Sequence, residues 1–354
     1  MGIFSEIDAW GAEQVVFWSE PAVGYRGIIV VHDTTLGPGM GGTRYWNYET
    51  DEDALRDALL LARAMTYKAA LAGLDSGGGK SVILGDNRRQ DRDALFRAHG
   101  RAVASLGGRY IAAEDVGTSA EDMAIVLRET EFVAGLRDRS GDPSPLTALG
   151  VAQAIRAGAS ERYGDGSLDG LHVAVQGLGA VGSKLCSILA GEGARLTITD
   201  IDPARVQATV ERLDAEAVAP GDVYDVEADV FAPCALGGVI NDDTVPRLRA
   251  GIVAGAANNQ LGKPRHEAAL RERGILYAPD YVGNAGGLIS IYGERHGWNR
   301  SRARRKVKEI FGTLCRIFAL ARREGTMPGT AANRLAENRL AAARNTPSPA
   351  GSRE

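Results

Sequence analysis

L-H-V-A-V-Q-G-L-G-A-V-G (171–182) is the stretch on which the architecture of this 354-residue chain turns. Leu171 to Gln176 is a short apolar run ending at a glycine, the pattern of a fully buried strand. Gly177, Gly179 and Gly182 then form G-x-G-x-x-G, with Ala180 and Val181 inside the turn, and a helix is expected over Ser183–Ala190. Leu196–Thr199 reads as the next strand and ends at Asp200, 23 residues after the first glycine. Strand, glycine turn, helix, strand is one βαβ unit. In that setting the glycines admit a pyrophosphate to the backbone, and the helix N-terminus offers it N–H donors. An acid at Asp200 accepts ribose hydroxyls and repels a 2′-phosphate, which selects NAD over NADP. A tight packing turn without ligand uses the same glycines; the flanking strand, helix and acid distinguish the two.

Downstream, further strand-like pieces fall at Asp229–Ala232, Gly251–Ala254 and Gly274–Tyr277 with helical stretches between them, so a doubly wound parallel sheet is expected. The last sixty residues read as helical. R-S-R-A-R-R-K-V-K-E-I (300–310) has no aromatic platform and is expected to be a solvated helix face. The tail N-T-P-S-P-A-G-S-R-E (345–354) reads as disordered.

Upstream, G-D-P-S-P (141–145) is the strongest linker signal. It divides the chain into 1–145 and a Rossmann domain at 146–325, with part of the helical C-terminus, about 326–354, packing back on the first domain. Before the linker, residues 24–33 read as a buried strand and Leu36–Gly42 as a glycine-rich turn. Asp51 opens a helix whose apolar positions 54, 55, 58, 59, 61 and 62 recur at helical spacing. Ser81–Leu84 is another strand candidate, Asp91–Leu106 an amphipathic helix, and 109–119 a strand running into a loop.

Composition sets the outer limits. With 44% hydrophobic and 24% charged residues and a net charge of −4, nothing favours nucleic acid or an anionic membrane as partner. Cys186, Cys234 and Cys315 are far apart and form no C-x-x-C pair, which suits a reducing cytoplasm. The five histidines are equally scattered, so no metal site is expected. M-G-I-F-S-E lacks the regions of a signal peptide, Glu6 stands where a lipidation motif needs Ser or Thr, and no apolar run approaches a membrane span.

Only six of the 41 basic residues are lysines, and Lys68 and Lys80 stand twelve apart beside a triple glycine. Arginine stays protonated in proteins, whereas a buried lysine can lose its proton and act as a base. Gly77–Gly79 leave Lys80 without neighbouring side chains, so a substrate could come close to its amine. Desolvation and a second cation at Lys68 would both lower its pKa. Lys68 itself could stay charged and hold an anionic group. Two surface lysines left by chance fit the spacing equally well. Asp115 sits at a strand end, where catalytic side chains are often presented, although a helix cap or turn residue has the same signature. A P-loop around Lys80 is excluded, because Leu74 stands where its first glycine belongs.

Taken together, G-P-G-M-G-G-T-R (37–44), M-T-Y-K (65–68), G-G-G-K (77–80), A-E-D-V-G-T (113–118), D-P-S-P-L-T-A-L-G-V (142–151), Q-G-L-G-A-V-G (176–182), A-G-A-A-N-N-Q-L (254–261) and Y-V-G-N-A-G-G (281–287) resemble the dehydrogenases of glutamate, leucine, phenylalanine and valine, and most of all their leucine branch. The resemblance runs from about residue 15 to about residue 330 with the motifs in the same order. It implies an N-terminal α/β substrate domain and a Rossmann NAD-binding domain with a cleft between them, assembled as a homo-oligomer. It implies that Lys68 binds the substrate carboxylate with the backbone of Gly41 and Gly42, that Lys80 is the general base, and that Asp115 shuttles a proton to the amino group. Asn258 would lie by the nicotinamide and Thr147 near the cofactor at the hinge. The reaction implied is NAD-dependent deamination of an amino acid to its 2-oxo acid and ammonia.

Glutamate-specific members carry a lysine where this chain has Met40, and a thioether cannot compensate a buried carboxylate. The other positions resembling pocket positions, Ala113, Val133, Ala134, Leu288, Ile289 and Ile291, are apolar, so a leucine, valine or isoleucine type of substrate is expected. Tyr292 departs from the small residue of leucine-type members. With Met40 and Ala69 it could shape a pocket for Phe or Trp, or it could be a core or interface residue. An enzyme that passes the imine or oxo acid to a coupling step, and a silent NAD-binding relative, are the competing functions; the latter should have lost Lys68, Lys80 or Asp115, and none is lost.

Overall fold

The computed structural model describes residues 2–136 and 141–345. The tail from 346 onward, read above as disordered, lies outside them. The chain divides into two compact units: residues 1–141 with 291–297 and 336–354, and residues 142–290 with 298–335. It passes from the second unit to the first inside one helix, Gly286–Arg295, and again inside the last, Pro328–Asn345.

The first unit contains, in order, α1 (Ile3–Trp10), β1 (Gln14–Glu20), β2 (Tyr25–Asp33), β3 (Gly39–Trp46), α2 (Asp51–Leu71), β4 (Gly77–Leu84), α3 (Asp93–Ala104), β5 (Tyr110–Glu114) and α4 (Ala120–Val126). The strands lie in the order β1-β2-β4-β3-β5; β2 is antiparallel to both neighbours, while β4, β3 and β5 are parallel. Helix α2 starts where the Thr50 hydroxyl accepts the Asp53 N–H at 3.0 Å. Its stripe Ala54, Leu55, Ala58, Leu59 and Ala62 recurs at three and four residues and packs on Ile28, Val30 and Val82 of β2 and β4.

Two glycine segments correct the sequence reading. Residues 39–42, read as part of a turn, belong to β3, an inner strand of the sheet. Gly77–Gly79, read as an opening beside Lys80, are fully buried in β4. Glycine is needed here because other chain comes too close for a side chain: a Cβ on Gly78 would lie 2.1 Å from the Thr66 nitrogen of α2, and one on Gly41 would lie 1.7 Å from the Gly79 carbonyl oxygen.

Below this crowded sheet runs a buried polar chain. Tyr110 donates its hydroxyl proton to the Gly41 carbonyl at 2.8 Å, and Ser81 donates to Thr43 at 2.9 Å. His99 lies 3.2 Å from Thr43 Oγ1 through Nε2 and 2.9 Å from Tyr25 Oη through Nδ1. The C-terminal half of the last helix is tied to this unit by Arg339, which donates to the Ala70 carbonyl at 2.8 Å and pairs with Asp75, and by Arg344 on Asp33.

The second unit holds α5 (Ser144–Tyr163), β6 (His172–Gln176), α6 (Gly182–Ala190), β7 (Arg195–Thr199), α7 (Pro203–Leu213), β8 (Glu216–Ala217), β9 (Val230–Pro233), β10 (Ile252–Val253), α8 (Arg265–Glu272), β11 (Leu276–Tyr277), α9 (Asp280–Gly283) and α11 (Arg300–Glu324), with the first halves of α10 (Gly286–Arg295) and α12 (Pro328–Asn345). All six strands are parallel, in the order β11-β10-β9-β6-β7-β8. Renumbered from β6, that is 3-2-1-4-5-6, the doubly wound order that takes dinucleotides. The prolines read as a linker start α5, where a missing N–H costs nothing. Along α11, Val307, Ile310, Leu314, Ile317 and Phe318 are buried and Arg302, Arg304, Arg305 and Lys308 are exposed, a solvated basic face.

Burial pushes the His99 pKa down to about 3, from an ordinary 6.5. An unfolded chain therefore takes up a proton below pH 6.5 that the native state refuses, and stability falls as the pH drops. Between pH 6.5 and 5 a single such group adds a slope of up to about 1.4 kcal/mol per pH unit. His99→Gln is expected to flatten the slope in urea titrations, with His32, also lowered by burial, supplying the remainder. An unchanged slope would refute a neutral His99.

Candidate active site

Lys80 sits in the middle of β4, only 5% exposed, and its amine donates to Asp115 Oδ2 at 2.5 Å. Asp115 follows β5, and β3 lies between the two strands. The pair can form because β3 has no side chain at the crossing: a Cβ on Gly42 would lie 2.7 Å from Asp115 Cβ and 3.3 Å from Lys80 Nζ. The loop that carries Asp115 is set by Thr118, whose hydroxyl accepts the Asp115 N–H and donates to the Thr43 carbonyl, both at 2.9 Å. Asp115 caps no helix; Ser119 does that for α4.

Burial lowers the pKa of Lys80, opposed by Asp115 and assisted by Arg44. For Asp115 burial acts upward, but Lys80 and Arg44 outweigh it and hold the carboxyl below its ordinary range. The arrangement is a poised proton pair: an amine disposed to be neutral against a carboxylate kept charged. Arg44 of β3 brings a further cation to the pair, its Nε lying 3.2 Å from Asp115 Oδ2.

Lys68 stands half-buried in the last turn of α2, the helix packed on β4. The register of β3 on β4 pairs residues 39–40 and 43–46 and omits Gly41 and Gly42. Met40 is buried between Gly78 and Ile111 on the neighbouring strands. Ala113 belongs to β5, Val133 bridges to Ala112, and the Ala134 N–H donates to the Ala112 carbonyl at 2.8 Å. Ile291 lies against Gly135, and Glu294 accepts the Gly135 N–H at 3.0 Å. Tyr292 is buried and stacks on His296, with ring centroids 3.8 Å apart. Leu288 and Ile289 are buried in α10, in the part belonging to the second unit.

In the second unit the three glycines after β6 do different work. Gly177 adopts a φ of 99°, open to glycine and strained for other residues. A Cβ on Gly182 would lie 1.9 Å from the Gly177 carbonyl oxygen, which seats α6 on the turn. A Cβ on Gly179 would meet only the Arg205 guanidinium, at 3.9 Å, so the turn is open at the point a pyrophosphate must approach. Ala180 is exposed beside it, and Val181 caps α6. Asp200 directs its carboxylate back to this turn, accepting the Leu178 N–H at 2.6 Å and the Asp202 N–H at 2.9 Å. Thr147 donates to the Pro143 carbonyl at 3.2 Å in the first turn of α5.

Asn258 is exposed, and its Oδ1 accepts a hydrogen bond from Asn284 Nδ2 at 2.8 Å. Buried Asn284 also donates to the Ala256 carbonyl, while its Oδ1 has no partner among the described residues. An open glycine cradle and an orphaned amide oxygen suit a dinucleotide bearing a carboxamide. Sequence reasoning passed over Asn284 and Arg44 although both lie inside the motifs it quoted. Their residue types alone do not separate a site from a packing role.

A sheet of this order with this turn defines a dinucleotide-binding oxidoreductase fold, and the buried lysine–carboxylate pair adds acid–base chemistry to it. The Glu/Leu/Phe/Val dehydrogenase dimerisation domain matches residues 13–132, and Glutamate/Leucine/Phenylalanine/Valine dehydrogenase matches residues 199–346. Leucine dehydrogenase of Geobacillus stearothermophilus is 50% identical over 99% of this chain and 96% of its own length. Valine dehydrogenase of Streptomyces coelicolor is 48% identical over 96% of this chain and 95% of its own. The crystal structure of L-tryptophan dehydrogenase from Nostoc punctiforme superposes with a TM-score of 0.89 at 44% identity, covering 98% of this chain and all of that one. The chain belongs to the Glu/Leu/Phe/Val dehydrogenase family, amino-acid dehydrogenases that use a nicotinamide cofactor.

Gly42→Ala places a methyl group between Lys80 and Asp115. It is expected to reduce turnover at least a hundredfold, because displacement of reacting groups by about 1 Å costs that much. A variant that folds and retains wild-type kcat would refute the crossing at Gly42.

Proposed function

We propose that this protein catalyses the reversible, NAD-dependent oxidative deamination of a hydrophobic L-amino acid of the leucine, valine or isoleucine type to its 2-oxo acid and ammonia. The observation that carries the proposal is the buried Lys80–Asp115 pair on the strands beside Gly41 and Gly42, in a chain half identical to a leucine dehydrogenase. Lys68 and the backbone N–H groups of Gly41 and Gly42 hold the substrate carboxylate. Asp115 takes a proton from the amino group and returns it in the reverse direction. Lys80, once neutral, takes the proton of the water that attacks the imino carbon. A bound nicotinamide would supply the acceptor for the Cα hydride. Asp200 favours NAD over NADP, since its carboxylate sits at the glycine turn and repels a 2′-phosphate. Thr147 and Asn258 hold the rest of the cofactor, with Asn284 orienting the Asn258 amide.

The substrate side chain meets Met40, Ala113, Ala134, Ile291 and Tyr292 of the first unit, none of them charged. A carboxylate there would stay uncompensated at a cost of a few kcal/mol or more. The L-tryptophan dehydrogenase relative keeps an aromatic substrate as the second reading. A methylene more or less is worth only about 1–3 kcal/mol, so a panel must decide between them.

Initial rates of NADH formation across the twenty amino acids are expected to be highest with leucine, valine or isoleucine, and about a hundredfold or more lower with NADP, a mismatch of a few kcal/mol. Highest rates with Phe or Trp would replace the aliphatic reading, and silence with all five would end the proposal. Mass spectrometry should find free 2-oxo acid; a conjugate would indicate a coupling enzyme. Lys80→Ala is expected to abolish turnover while NAD binding persists. Because burial lowers the lysine pKa, wild-type kcat/KM should fall as the pH drops through that pKa and the base becomes protonated.

The enzyme acts as a homo-oligomer in the cytoplasm, in keeping with three unpaired cysteines. No described helix is long and apolar enough to cross a membrane. Strand β1 forms a sheet edge with Phe17 51% exposed, and Ile3 and Phe4 of α1 are also exposed, a surface suited to a second copy of the chain. Phe17→Glu is expected to lower the mass measured by light scattering; a wild type of monomer mass would exclude the assembly.

A further inference from the structure

Arg44 stands two residues beyond the Gly42 crossing and turns its guanidinium toward two carboxylates. Nε donates to Asp115 Oδ2 at 3.2 Å, and a terminal nitrogen donates to Asp57 Oδ2 at 2.8 Å. The Asp115 oxygen is the one that also accepts Lys80 Nζ at 2.5 Å. The same Asp57 oxygen also accepts the Tyr48 hydroxyl, which donates at 2.5 Å. Tyr48, Asp57, Arg44, Asp115 and Lys80 are thus joined in one run that draws on the loop after β3, on α2, on β3, on the end of β5 and on β4.

We propose that Arg44 is a positioning residue for proton transfer: braced by Asp57, it fixes the Asp115 carboxylate on the Lys80 amine and keeps a positive charge there when the amine is neutral. The inference rests on Lys80 and Asp115 being the proton-transfer pair of the reaction proposed above.

Charge counting gives the reason. With Lys80 protonated the cluster holds two cations and two anions. When the amine gives up its proton, Arg44 alone faces Asp57 and Asp115. Without Arg44 two carboxylates would face a neutral lysine, and they would hold the proton on it. Arginine suits this task because it stays charged and presents a planar fork to two acceptors at once.

Of the other titratable groups on the elements packed against β4, Lys68 lies in the last turn of α2, Tyr48 is bonded to Asp57, and Tyr110 of β5 donates to the Gly41 carbonyl. On β2, the strand on the far side of β4, His32 is bonded to Thr66 and Asp33 to Arg344. Of the neighbours, Asp115 and Asp57 favour the charged amine and Arg44 opposes it. Removing Arg44 and removing the charge of Asp57 must therefore move the lysine in opposite directions, whereas loosened packing would not.

The chain's six lysines make the test direct. Full-length protein labelled with 13C at lysine Cε gives one signal per lysine, and Lys80→Arg identifies the one that matters. Arg44→Gln is expected to raise the titration midpoint of Lys80 by about one pH unit, a tenfold change in the neutral fraction, and Asp57→Asn to lower it by a similar amount. Arg44→Lys should restore most of the midpoint but only part of kcat, since one ammonium cannot brace both carboxylates. The acid limb of kcat/KM should move with the midpoints. Unmoved midpoints, or midpoints moving in the same direction, would overturn the proposal. If Arg44→Gln does not fold, Asp57→Asn alone decides: a lowered midpoint supports the inference, and an unchanged or raised one refutes it. Midpoints that move as expected in a protein without turnover would refute the deamination reading and leave the role of Arg44 standing.

Discussion

Lys80 and Asp115 meet over a strand that has nothing but hydrogen at the crossing, and the rest of the first unit is arranged to keep that meeting possible. Taking an ammonium and a carboxylate out of water costs several kcal/mol for each ion. A contact of 2.5 Å and the guanidinium of Arg44 offset that cost. The contact needs β4, β3 and β5 side by side and parallel, with β3 pressed tightly enough that Gly41 touches the Gly79 carbonyl. Tyr110, Ser81, Thr43, His99 and Tyr25 brace this region from below with their own hydrogen bonds. Because that chain is buried, any member left unsatisfied would cost about 1–3 kcal/mol, so the network resists slippage of the strands.

The second unit solves a separate problem with a similar economy of side chains. Its glycine turn is tight at Gly177, packed at Gly182 and open at Gly179, so the backbone is left uncovered at one point of the turn. Asp200 rests on that turn through the Leu178 N–H, which couples the acid to the loop it serves. Asn284, with one amide oxygen unspent, marks a second polar point in the same unit.

Where the sequence was legible, periodicity did the work. The stripe of α2, the run of β6, the glycine turn and the acid after β7 could all be read because each is local, repeating at 3.6 or 2 residues or at a fixed spacing. Where it misled, glycine and proline were taken as breakers. Gly39–Gly42 and Gly77–Gly79 are strand interiors, since a neighbouring strand or helix occupies the space a side chain would need. Pro143 and Pro145 also start a twenty-residue helix, although the boundary between the two units does fall in the stretch read as a linker, between Gly141 and Asp142. The edge strand β1 went unread because Q-V-V-F-W-S-E shows no clean alternation.

The sequence by itself determined the kinds of groups and their local setting: two lysines among arginines, an acid at a strand end, a glycine turn between strand and helix, and the motifs of one family. Tertiary structure decided which of them touch. Lys80 and Asp115 lie 35 residues apart, and Arg44 and Asp115 lie 71 apart; only the order β4-β3-β5 brings them to one point. It also decided that Arg44 is the cation against Asp115. Protonation follows burial and neighbouring charge, and both arise only when distant strands exclude water between them.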